Sequence, residues 1–380
     1  MNNLLIFLDE LYFKKNQQYV SKFNAGRFLL KLSNTCVLKF MFPVGKEMPI
    51  NATTIIGETE VIPLSGWNSL LSYLKQFSKI NKQIKMNTKK LLQEIDIVWI
   101  RMPSLPGLYL ATIALKKKIP CIFHFAGDVR YGYQNEQYKR LQKLMAFFSG
   151  YIIHYAFKVI TKHYSDLIYN LSTGTKLLKE FDIKNSKYFI DSETSPSIRV
   201  LKNNEILKFV FVGKLTKSKG ILVLLNVLKN IKNVQVDIIG YGPLKRHVQD
   251  FCLENVSCHF WGFKTASELD EMYSTSDVLI MPSINNSEGF PRVIVEAWSN
   301  GLAVISTDVG GIKGIGQHEK NILFVKPNEI RELGVAINRL VNDRALLKKL
   351  KRNGFETSKK LSHSAMLSVA IETINIMTNT

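Results

Sequence analysis

Cysteine is scarce in this chain: four in 380 residues (Cys36, Cys121, Cys252 and Cys258), with no Cys-x-x-Cys spacing. That excludes a disulfide scaffold and a zinc ribbon and fits a reducing compartment. Arginine is sparse too, 11 residues against 40 lysines, whereas base readout and bidentate phosphate clamping favour arginine. Long apolar runs are missing. The longest, Leu144 to Phe157, is broken by Ser149, Gly150 and His154, so no uncharged run reaches the roughly 18 residues that suggest a membrane span. The opening MNNLLIFLDE lacks the basic-then-apolar order of a signal peptide and meets acid at Asp9 and Glu10. These absences lead us to expect a soluble, cytosolic chain.

What is present reads as globular. Hydrophobic residues make up 46% and charged residues 22%, well inside the range of folded proteins. A length of 380 residues suits two domains of roughly 200 residues or fewer. The net charge is +20, and it is uneven: residues 1–200 hold 28 Lys+Arg against 14 Asp+Glu, and residues 201–380 hold 23 against 17. An excess of +14 in one half is open to three readings: genome composition, an anionic membrane face, or nucleic acid. The last would need an aromatic–arginine groove, and none is visible.

The chain alternates apolar runs with amphipathic stretches. In the first half, Leu4–Leu8, Cys36–Phe42, Ile97–Ile100 and Cys121–His124 suit buried strands. Helical stretches such as Leu70–Lys79 and Tyr109–Lys118 lie between them. The second half repeats the scheme with strands at Leu207–Gly213, Val234–Gly240, Val256–Gly262, Val278–Pro282, Leu302–Ser306 and Ile322–Val325. Such alternation, twice over, predicts an α/β fold of two Rossmann-like doubly wound parallel-sheet domains. The expected boundaries are an acceptor-side domain over 1–200 and a nucleotide-binding domain over 205–358. A final helical segment, 359–380, should pack back on the first domain. The polar stretch Asp191–Glu205 is the linker candidate.

Two motifs in the second half carry chemistry. The first runs from Val212-Gly213-Lys214 to Lys219-Gly220, at a strand's carboxyl end. Ligands of open α/β sheets sit at that edge, and two ammonium groups there suit a departing diphosphate. The plain alternative is a solvated lysine-rich loop. The second motif is Pro282-Ser283, then Glu288-Gly289-Phe290-Pro291, ending at Glu296. Pro291 fits the first turn of a helix, whose N-terminus would present positive dipole to a ligand. Glu288 and Glu296 are eight residues apart, roughly 12 Å along a helix. That length suits two carboxylates gripping opposite ends of a nucleotide sugar, and it is a poor fit to a two-carboxylate hydrolase.

Taken in order, these motifs are joined by Ile239-Gly240-Tyr241-Gly242-Pro243, Trp261-Gly262, Ser276-Asp277, Gly301 and Asp308-Val309-Gly310-Gly311. Over about residues 207–345 this resembles the nucleotide-binding half of family-four retaining glycosyltransferases of the GT-B fold. The resemblance implies two Rossmann-like domains facing a cleft, a nucleotide diphosphate sugar as donor, retention of anomeric configuration, and no catalytic metal or other cofactor. The chain indeed has no Asp-x-Asp motif.

Carried over by position, the resemblance assigns Lys214 and Lys219 to the donor diphosphate beside Gly213. It assigns Glu288 to the transferred sugar, with the backbone of Gly289, Phe290 and Pro291, and Glu296 to the ribose hydroxyls. The four charged residues argue against a catalytically silent scaffold. Lys313-Gly314 and Lys320-Asn321 replace an acid and an Asn-Gly common in relatives, which bears on donor selectivity more than on reaction type.

In the first half, His124 matches a family histidine that approaches the transferred sugar, and a core histidine is its plain alternative. Asp128 and Arg101 are weaker acceptor-side candidates. The family's glycine-rich loop after the first strand is missing, since no glycine follows Leu8 until Gly26. Lys139, Arg140 and Lys143 precede Leu144–Phe157, which reads either as an interfacial patch or as a buried helix followed by a strand. The expected partners are a UDP-sugar donor, a lipid-linked or saccharide acceptor of bacterial surface polysaccharide synthesis, and an anionic membrane at the cytoplasmic face. A soluble sugar-conjugate synthase of the same fold is the alternative.

Overall fold

The computed structural model describes residues 1–21, 25–46, 54–57, 61–134, 136, 138–174, 185–197, 205–286 and 289–379. The chain forms two compact units. One comprises residues 1–130, 148–191 and 366–380, the other 131–147 and 192–365. The boundary expected near residue 200 thus falls at 191, and the stretch 131–147, expected in the first domain, belongs to the second unit.

The first unit is built on β1 (Asn2–Phe7), β2 (Tyr12–Lys15), β3 (Gln18–Ser21), β4 (Cys36–Gly45), β5 (Thr54–Gly57), β6 (Val61–Ser65), β7 (Ile97–Met102), β8 (Cys121–Phe125), β9 (Ile168–Ser172) and β10 (Ser186–Tyr188). Their order is β10-β9-β8-β7-β1-β4-β2-β3-β5, with β6 also on β4. The centre is parallel, as continuous apolar runs such as Leu4–Phe7 require when both faces are covered. The edge is not. β3 runs antiparallel to β2 and β5, with a hairpin turning at Asn16 (φ 54°). Four-residue strands, β2 ending in Lys14 and Lys15, give too short an apolar pattern to read.

Helices close both faces. Ser104 caps Leu105–Lys116 by accepting from the Gly107 N–H at 2.9 Å, and Pro106 preorganises the first turn. The last helix, His363–Thr378, buries Met366, Ala370, Ile374 and Met377. Within the first unit it is tied by Asn2 to Thr378 (3.1 Å) and by an ion pair between Lys187 and Glu372 (2.6 Å).

Leu144–Phe157 belongs to one long helix, Arg140–His163, with no strand inside it. Phe157 packs between Phe123 and Phe125, yet most of the other large apolar residues face outward. The buried-helix reading of this stretch is therefore corrected.

The second unit holds β11 (Leu207–Val212), β12 (Val234–Ile239), β13 (Cys258–Gly262), β14 (Val278–Met281), β15 (Ala303–Thr307) and β16 (Leu323–Val325). All are parallel, in the order β13-β12-β11-β14-β15-β16. This is the doubly wound order, with its switch point between β11 and β14. Asp277 fixes the foot of that pair. Its carboxylate accepts from the Lys208 N–H (3.0 Å) and pairs with the Lys351 ammonium (2.7 Å) from the helix Arg344–Lys359, both side chains being buried. Cys252 and Cys258 form a local disulfide between a helix and the next strand, which the spacing did not announce, while Cys36 and Cys121 are free and buried.

Candidate functional site: the switch point of the second unit

Two loops leave the carboxyl ends of β11 and β14 side by side. The first begins at Gly213, whose N–H bonds the Ile239 carbonyl (3.1 Å), and Leu215 then bonds Tyr241 (2.8 Å). Leu215 is buried as an anchor while Lys214 is exposed and Lys219 half-buried. A short turn over Lys217–Lys219 ends at Gly220 in the left-handed region (φ 71°). A Cβ at Gly220 would lie 1.8 Å from the Pro282 carbonyl oxygen, so only glycine allows the two loops to meet.

The second loop is braced on the first. The Ser218 carbonyl accepts from the Ile284 N–H (2.8 Å) and the Ser283 hydroxyl (3.1 Å). Gly289 accepts from the Gly311 N–H (3.1 Å), and the Phe290 ring is buried against Trp298. Pro291 occupies the N-cap of the helix Arg292–Ser299, with extended backbone. Ser287 and Glu288 lie outside the described residues, so the sugar-binding carboxylate expected at 288 has no placement here.

Glu296 points back from the body of that helix. The Tyr273 hydroxyl donates to its Oε2 at 3.1 Å. Burial raises the Glu296 carboxyl above its ordinary range, opposed by Arg292 and by the Tyr273 hydrogen bond. Tyr273 was not legible as a site residue, because nothing in its sequence neighbourhood links it to a helix two elements away.

Two further groups reach the first loop from the segment 131–147. The Glu136 carboxylate accepts the N–H of Lys217 (3.1 Å) and that of Ser218, and Gln134 accepts the Asn286 N–H (3.0 Å). The departures from the family pattern also have partners: Lys313 pairs with Asp308 (2.7 Å). Asn321 is a buried hub bonded to Ile315, Gln317 and Thr357.

In the first unit the corresponding edge is crowded with paired charge. Arg101 lies between Asp191 (2.7 Å) and Glu10 (3.2 Å), whose charges hold its guanidinium pKa up despite burial. Asp128 binds Arg130 through both carboxylate oxygens, at 3.0 and 2.6 Å. Neither acceptor-side candidate is a free charge. His124 is 1% exposed, packed against Trp99 and Phe189, and neither ring nitrogen has a hydrogen-bond partner among the described residues. Burial, with the Arg101 charge adding to it and Asp191 opposing, pulls its pKa down to about 3. It is neutral at any ordinary pH.

Comparison with known proteins agrees with this geometry. Residues 195–357 match the family described as glycosyl transferases group 1. Two uncharacterized glycosyltransferases of Methanocaldococcus jannaschii are 31% identical over 140 residues and 32% over 211, covering 35% and 55% of this chain. The chain spans only 35% and 58% of their respective lengths. The O-antigen biosynthesis glycosyltransferase WbnH of Escherichia coli is 24% identical over 262 residues, 67% of this chain and 70% of its own.

Among solved structures, a sucrose-phosphate synthase of Thermosynechococcus elongatus superposes with a TM-score of 0.70 at 16% identity over 100% of both chains. The Anabaena HepE complex with UDP follows at 0.65 and 14%, covering 98% of this chain and 99% of HepE. At such identities the structures speak for the fold alone. Residues 195–357 are thus similar to the glycosyl transferases group 1 family, and the two sheet units have the GT-B fold.

Proposed function

We propose that this protein transfers a sugar from a nucleoside diphosphate sugar, with UDP as the nucleotide, to a lipid-linked or saccharide acceptor in the building of a bacterial surface polysaccharide. The observation that supports this reading most is the meeting of the Gly213–Gly220 and Pro282–Pro291 loops at the switch point of β11 and β14. In such sheets this is where a ligand lies. Lys214 and Lys219 would draw the diphosphate to that edge. Glu296, steadied by Tyr273, would take the ribose hydroxyls, and Glu288 the hydroxyls of the transferred sugar.

On this reading transfer proceeds with retention and without a metal. The acceptor hydroxyl attacks C1 on the face the nucleotide leaves, the C1–O bond to the diphosphate breaks, and a departing phosphate oxygen takes the acceptor's proton. The lysines stabilise the charge that grows on the leaving group. His124, 1% exposed with both ring nitrogens buried, fits its plain alternative, a core histidine, better than a sugar contact. HepE has been solved with UDP and with UDP-glucose, and WbnH serves O-antigen biosynthesis; both motivate the donor and acceptor classes proposed here.

The test is thermal stabilisation of the purified protein across a panel of nucleoside diphosphate sugars, since a ligand of the native state raises stability by mass action. UDP and one UDP-sugar should stabilise it, and product formed with that donor should carry the donor's anomeric configuration. No stabilisation by any nucleotide sugar, or a product of inverted configuration, would overturn the corresponding part of the proposal.

A further inference from the structure

The helix Arg140–His163 has two faces of opposite fate. Its inner face buries Gly150, Ile153, Phe157 and Thr161, and Phe157 sits 4.8 Å, ring centroid to ring centroid, from both Phe123 and Phe125. Its outer face carries Leu141, Leu144, Phe148, Ile152, Tyr155 and Val159, at spacings of three or four that align them in one stripe. Leu141 is 69%, Ile152 63% and Tyr155 70% exposed. A continuous stripe of this kind marks an interaction surface.

Charge identifies the partner. The 24 residues contain no Asp or Glu. Arg140 and Lys143 stand at one end of the stripe and Lys158 and Lys162 at the other, with Lys139 just ahead. Length and composition would let this helix cross a bilayer. Its packing argues otherwise, because spanning would tear Phe157 from Phe123 and Phe125. A helix fixed to a sheet by one face and apolar on the other lies in the interface plane.

We propose that this outer face docks on an anionic lipid bilayer, with the stripe at the headgroup–acyl boundary and the basic residues among the phosphates. The inference rests on exposure and charge, and it stands independently of the glycosyl-transfer reading.

The experiment is cosedimentation of the full chain with phosphatidylcholine vesicles, with and without phosphatidylglycerol. Binding should require the anionic lipid and be reversed by salt, because attraction to the surface decays within a Debye length of about 8–10 Å. The paired substitution Ile152→Gln and Tyr155→Gln should weaken binding at least about tenfold. Arg140→Glu with Lys143→Glu should weaken it by about fivefold or more per cation. Melting temperature and UDP affinity should be unchanged in both variants, which separates this test from that of the donor site. Failure of the wild type to bind anionic vesicles at low salt would overturn the proposal, as would undiminished binding by the variants. A lipid-free dimer that the Gln variant dissociates, with no vesicle binding, would instead assign the face to a second copy of the chain.

Discussion

Tyr273 and Glu296 are 23 residues apart in sequence and 3.1 Å apart in space, hydroxyl to carboxylate. The phenol is fully buried, so the hydrogen bond sets the direction of the carboxylate and helps offset the cost of burying it. Tyr273→Phe should therefore weaken UDP binding about three- to tenfold, and Glu296→Ala should weaken it further, for free UDP and UDP-sugar alike. Glu288→Gln should leave UDP affinity nearly intact and cut turnover. Calorimetric titration with free UDP separates the roles. An equal loss of UDP affinity in the Glu288 and Glu296 variants would contradict them.

Lys214→Ala and Lys219→Ala should each slow transfer. A hydrogen bond to a charged group contributes about 1.5–3 kcal/mol, so a fall of roughly 10- to 150-fold is expected. EDTA should have no effect on the wild type. Loss of activity in chelator, with recovery on adding Mn²⁺ or Mg²⁺, would mean that a metal neutralises the leaving group.

Glu136 occupies backbone donors of the same loop, the N–H groups of Lys217 and Ser218. If the donor diphosphate needs that loop, the carboxylate competes with it. Glu136→Gln should then tighten UDP several-fold, and the gain should shrink in high salt as the repulsion is screened. Weaker UDP binding by this variant would show instead that the carboxylate holds the loop in its productive form.

His124 makes stability depend on pH. Its folded pKa of about 3 lies below the ordinary value of 6.5, so between these pH values the unfolded chain binds the extra proton. Stability is full above about pH 6.5 and falls as the pH drops toward 3, by at most about 1.4 kcal/mol per pH unit from this group. Denaturant midpoints measured across that window should show a shallower acid slope for His124→Phe. An unchanged slope would mean that the imidazole charges in the folded state.

The Lys351–Asp277 pair should be costly to break from one side. Lys351→Ala leaves a buried carboxylate uncompensated, and a loss of about 3–5 kcal/mol is expected. Lys351→Met combined with Asp277→Asn should recover much of it. Urea unfolding of the single and double variants measures the difference. Additive losses in the double variant would show that the two groups are not coupled.

The parallel core and the six strands of the second unit were readable because buried parallel strands are mostly apolar, and runs as short as Leu207–Val212 or Val278–Met281, rich in Val, Ile and Phe, favour a strand. The Lys214–Gly220 and Gly289–Glu296 motifs were readable for a related reason: strand-end loops at a switch point impose glycine, proline and charge at fixed offsets. What lay beyond reach were relations between residues far apart in sequence. No local pattern couples Tyr273 to Glu296, or Glu136 to the Lys217 N–H. The same limit hid the pairing of Arg101 with Glu10 and Asp191 in a partly buried ion cluster. It also hid which face of Arg140–His163 is covered. The sequence by itself determined that this stretch is apolar and basic-flanked. Only the tertiary structure decided, by seating Phe157 between Phe123 and Phe125, that Leu141, Ile152 and Tyr155 face outward.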